Sequence, residues 1–223
     1  MTQTSSTIPG FAVRGVASGV FFMAFFGTLW ASIGVGGLQG WGGSWLSLVV
    51  VLIGIGLLLG GISLLLASRR LSNQGTNADA QQGRRTGIWF GSVFALEGIF
   101  IGVASVICNA LNRFDLFFPI MALIVGVHFL PLAALFQVRA YYLVGTLLCL
   151  LSIITLFAVP ERVQFGGQQL TAQWVVLGFG AAFILWGVGV GLWLLGRRLL
   201  ALSEPSEFAG LIDEKVDVAE SGS

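Results

Sequence analysis

One acidic side chain and the only imidazole of this sequence fall inside strongly apolar runs. Glu97 lies in WFGSVFALEGIFIGVASVI and His128 in MALIVGVHFLPLAALF. A carboxyl group among lipid tails is costly unless it is neutral, paired or wet, so its retention calls for a compensation. At ~1.5 Å per helical residue, Glu97 sits about 15 Å from one end of its run, and His128 about 13–14 Å from the same membrane face. The two runs are joined by a short connection, which predicts antiparallel neighbours. The two groups can then face each other and carry a proton or hold a polar ligand. The same residues also allow a purely structural hydrogen bond. Pro131 follows His128 by three residues; it lacks an N–H and its ring clashes with the Val127 carbonyl, which predicts a kink and a freed carbonyl beside the imidazole. Asn109 and Asn112 continue the polar side of the Glu97 run and are expected to support the site. One histidine and one acid do not build a zinc site. No nucleophile–base pair or phosphate-binding loop is present, so the sequence predicts no catalytic residues, no metal and no cofactor.

These groups need elements to position them, and the composition says which. Of 223 residues, 56% are hydrophobic and 9% charged, against roughly 25% charged in a soluble domain. Mean hydropathy is +0.93. Six apolar stretches, 13–36, 44–68, 87–108, 117–137, 141–159 and 173–196, have membrane length, since a bilayer core takes about 20 helical residues. The predicted fold is an all-α polytopic membrane bundle of six transmembrane helices. The first stretch exceeds the roughly 7–15 apolar residues of a signal peptide, so it is expected to be retained. Residues 1–200 form the membrane domain; residues 201–223, with six carboxylates against one lysine, form an acidic tail expected to be disordered. A net charge of +1 carries no nucleic-acid signature. Cys108 and Cys149 are too few and too far apart in depth for a disulfide framework.

Charge distribution sets the expected orientation. With the N-terminus inside, nine basic residues (Arg14, Arg69, Arg70, Arg84, Arg85, Arg139, Arg197, Arg198 and Lys215) face the cytoplasm, and two, Arg113 and Arg162, face out. Trp41, Trp45, Phe117, Phe118 and Trp174 are expected at the outer interface, and Trp89, Tyr141, Tyr142 and Trp193 at the inner one. Each second span ends in arginine, which points to three tandem hairpins. A shift of 128 residues lays GIGLLLGGISLLLASRRL over AFILWGVGVGLWLLGRRL with seven matches in 18; shared composition accounts for such matches as readily as a true repeat. Gly87, Gly91, Gly98 and Gly102 share one face of the third span, which predicts a close helix–helix contact. The outer polar residues Asn109, Asn112, Arg113, Asp115, Glu161, Arg162, Gln168 and Gln169 would form a solvated loop surface or an external mouth.

The stretch from Val125 to Leu151, with its His-Phe-Leu-Pro-Leu core at 128–132, resembles small bacterial multi-spanning membrane proteins of unknown function. The six-span size is similar to that of small acid-resistance membrane proteins built from hairpins. The resemblance implies a bacterial inner membrane and supplies no substrate. The expected partners are the lipid bilayer, a small solute or proton at Glu97 and His128, and a second copy in a homo-oligomer. A structural or regulatory membrane protein is the alternative, and an intramembrane enzyme the third.

Overall fold

The computed structural model describes residues 10–69, 77–136 and 138–203. Six helices carry the architecture: α1 (Gly10–Gly37), α2 (Gly43–Ser68), α3 (Asn77–Ala110), α4 (Phe117–Phe136), α5 (Arg139–Ala158) and α6 (Ala172–Ser203). All six are long and apolar enough to cross a membrane, so this is a multi-pass membrane protein. The helices form because, in lipid, only closed backbone hydrogen bonding is affordable. Two helices outrun their apolar stretches. α3 begins at Asn77, where Asn-Ala-Asp-Ala-Gln-Gln continues the helix into a segment expected to be a loop, and α6 runs to Ser203. The acidic tail expected over 201–223 lies, apart from its first three residues, outside the described residues, as do Arg70 and Lys215.

The tightest seam runs between the first and last helices. α1 and α6 pack more extensively than any other pair. At their crossing a Cβ on Gly178 would strike the Gly34 backbone, and one on Gly37 would sit 2.9 Å from the Val175 nitrogen. Glycine is needed there because the backbones touch. α2 docks on α1 where Gly54 meets the Thr28 side chain and Gly61 meets Phe21. α4 and α5 make a second tight pair, in which a Cβ on Gly145 would lie 2.7 Å from the Gly126 carbonyl oxygen. The buried Ser152 hydroxyl of α5 donates to the Pro119 carbonyl of α4 at 2.6 Å and fixes their register. The core is Trp30, Phe129, Leu148, Leu177, Leu185 and Trp186 with smaller residues between them. Of the expected hairpins, α1 and α2 pack as extensively as α4 and α5, whereas the most extensive pairing, α1 with α6, joins the first hairpin to the last.

α3 is the outlier. It packs mainly on α4, and its only buried residues among those described are Ala104 and Cys108, near its C-terminal end. Gly87, Gly91, Gly98 and Gly102 have no neighbouring atom within 4 Å of an added Cβ. Among the described residues no helix packs along that glycine face as expected; small residues permit close approach but do not compel it.

At the same membrane face the loop expected over 160–172 folds further. β1 (Val163–Phe165) and β2 (Gln168–Leu170) form an antiparallel hairpin. Gly166 and Gly167 both take positive φ, 58° and 82°, the requirement of a tight two-residue turn. Phe165 packs edge-on against Trp41 of the α1–α2 loop, and the Thr171 N–H donates to the Gly37 carbonyl at 2.9 Å. The Gly178→Leu variant is expected to lose about 1–3 kcal/mol of stability from overpacking, whereas Gly187→Leu, at an open position, is expected to stay within about 0.5 kcal/mol. Thermal or denaturant unfolding of the detergent-solubilised variants measures the contrast.

Candidate functional site

Glu97 and His128 meet. On α3, Val93, Leu96, Glu97 and Phe100 share one face at helical spacing; on α4, Leu123, Ile124, Val127, His128 and Pro131 do the same. These nine residues line a groove of 380 Å³ between the two helices. Within it the Glu97 Oε2 lies 3.3 Å from the His128 Nδ1. The carboxyl side chain is 10% exposed and the imidazole 4%. The approach is off the line of the ring N–H, and the imidazole also faces the backbone of Val93, one turn before Glu97 on α3. The Phe94 ring stands edge-on to the imidazole with centroids 6.1 Å apart, and Phe129 flanks it at 6.0 Å. A carboxyl and an imidazole at this separation in an apolar groove can hold one proton between them. They can also shift from a neutral to an ion-paired form without changing their summed charge.

Pro131 belongs to the same groove. α4 continues through it. Because proline has no N–H, the Val127 carbonyl beside His128 loses its usual helical partner. Asn109 and Asn112 do not join the site. Asn109 is twelve residues from Glu97, about 18 Å along the helix, and both asparagines are exposed. Asn112 instead ends α3. It takes a left-handed φ of 52°, its N–H donates to the Asn109 carbonyl, and the Arg113 N–H donates to the Cys108 carbonyl at 2.9 Å. That pair of bonds is a Schellman stop, which asparagine tolerates better than most residues. The polar residues expected at an external mouth are likewise engaged locally. The Arg113 guanidinium donates to Asp115 at 3.0 Å, Arg162 pairs with Glu161, and Gln168 and Gln169 lie in β2. Among the described residues, no three His, Cys, Asp or Glu side chains gather as a metal site would require.

A second cavity was not foreseen from the sequence. It measures 710 Å³ and lies where the start of α1 meets the start of α3, the α4–α5 turn and the end of α6. Gly15, Gly83 and Gly87 leave space in its wall that side chains would fill, and Phe22, Phe90, Phe129 and Phe136 surround it. The glycines were the available signal, but helix packing is their commoner use.

If the pair couples α3 to α4, His128→Leu alone leaves a buried carboxyl unpartnered and is expected to cost about 1–3 kcal/mol. The double change Glu97→Leu/His128→Leu is expected to recover most of that loss. A double-mutant cycle in detergent measures the coupling. A family model described as a family of unknown function (DUF7010) matches residues 14–186, and no curated protein and no solved structure matches the chain.

Proposed function

The chain belongs to DUF7010, whose function is unknown, and we propose from its own residues that it is a non-enzymatic membrane protein that binds or passes a proton or small polar solute at Glu97 and His128. The observation that carries this is the 3.3 Å approach of the two groups in the groove between α3 and α4. Ionisable groups at membrane depth are expensive to keep and mark proton or solute sites in membrane proteins. The imidazole makes no aligned hydrogen bond to the carboxyl, which leaves both able to exchange a proton or meet a ligand atom. Six spans are few for a complete path, so the working unit is taken as a homo-oligomer. A structural or regulatory role through partner contacts is the second reading; the uncovered glycine face of α3 favours it.

In proteoliposomes, wild type is expected to show proton flux that varies with pH. Glu97→Gln and His128→Ala are expected to reduce it at least about tenfold, the usual weight of a positioned proton-transfer group being larger still. Identical flat traces for all three, from folded protein, would move the assignment to the structural reading.

The proposed location is a bacterial inner membrane with both termini in the cytoplasm. This follows from the nine-to-two distribution of basic residues. In a background lacking Cys108 and Cys149, Gln39→Cys is expected to react with an impermeant maleimide on intact cells, and Arg198→Cys only after lysis. The reverse pattern would invert the orientation.

A further inference from the structure

The 710 Å³ cavity has no part in the Glu97–His128 site, and its size falls within the roughly 300–1,000 Å³ of small-molecule sites. Its walls are mainly apolar: Val16, Phe22, Phe129, Leu132, Phe136 and Leu192 face it from α1, α4 and α6. Three polar side chains, Ser18, Thr86 and Tyr141, line it as well. The Tyr141 hydroxyl reaches Gly19 across the cavity wall and makes no hydrogen bond to the described residues.

The rim carries the opposite chemistry. Arg14 precedes the lining residue Gly15, Arg84 and Arg85 lie between Gly83 and Thr86, Arg139 follows Val138, and Arg197 comes two residues after Leu195. None of these arginines, nor Arg198, pairs with a carboxylate among the described residues. Five arginines thus lie beside lining residues at this end of the chamber without a carboxylate partner among the described residues, and an apolar chamber next to that positive charge matches an amphiphile with an apolar tail and an anionic head. Access is lateral. α3 has no buried residue from Gly83 to Val103 and meets the bundle beside the cavity through the Phe90 and Phe94 rings, so its hold there is light.

We propose that this cavity binds an anionic membrane phospholipid, with one acyl chain in the chamber, its phosphate over the arginines and its ester region within reach of Tyr141. Guanidinium groups suit phosphate because their forked donors match its oxygens. The positive-inside rule accounts for arginines at this face but not for the chamber beneath them.

The test uses full-length purified protein in detergent with acyl-labelled phosphatidylglycerol and phosphatidylcholine as probes. Phosphatidylglycerol is expected to bind at least about tenfold more tightly, at roughly fivefold per arginine engaged. Arg84→Gln/Arg85→Gln is expected to bring the two lipids close together. Gly15→Phe and Gly87→Phe, which fill open space in the wall, are expected to weaken phosphatidylglycerol binding at least tenfold while the unfolding midpoint stays. A phosphatidylglycerol with a photoreactive group at its acyl terminus gives a readout on wild type alone, and is expected to label residues 12–23 and 129–141. Equal binding of the two lipids, undiminished binding to folded phenylalanine variants, or labelling mainly on α2 would overturn the proposal. So would full competition by millimolar inorganic phosphate, which would reduce the site to its arginines.

Discussion

Hydrocarbon supplies no hydrogen bonds, and every polar group placed in it has to find a partner within the protein. The hydroxyls of this bundle obey that constraint by turning back on their own helices. Thr28 donates to the Ala24 carbonyl, Ser32 to Thr28, Ser92 to Ile88 and Thr155 to Leu151. Ser152 goes further and ties α5 to α4 through the Pro119 carbonyl. Glu97 and His128 cannot be satisfied in that local way, because a carboxyl offers mainly acceptors and an imidazole needs partners at both nitrogens. Each therefore has the other as its nearest ionisable neighbour, and α3 is tied to α4 at mid-depth by their meeting.

That arrangement explains the division of labour among the helices. Five of them share one apolar core, built around backbone contact between α1 and α6 and sealed by α2, α4 and α5. α3 stands outside this core. It touches α1 through a row of rings in which Phe22 and Phe26 meet Phe90 and Phe94 edge-on. It touches α4 through the groove that holds the pair. The same helix thus walls both of the cavities described, one with ionisable groups and one without.

Much of this was legible in the residues. Six spans follow from hydropathy, and the shared depth of Glu97 and His128 follows from residue counting, because rise per residue is fixed once the helix is known. Their contact needed the rotation of α3 about its axis, which hydropathy does not encode when the helix is apolar almost all round. The glycines show the same limit. Gly34 and Gly178 mark a backbone crossing while Gly87 and Gly98 face open space, and the local sequence does not separate the two cases. The turn at 163–170 was within reach: Val-Gln-Phe and Gln-Gln-Leu flank a Gly-Gly pair, a strong hairpin signal. Asn112 carried a helix-stop signal that its place beside a functional candidate obscured.

The hairpin over 163–170 has a consequence for packing. Together with the chain of ring contacts through Phe114, Phe117, Phe118 and Trp174, it closes the bundle at one end. The opposite end, where arginines lie beside the lining residues, encloses the larger void. The two ends of the bundle thus differ in packing: ring contacts and a strand pair close one, and open space remains in the other.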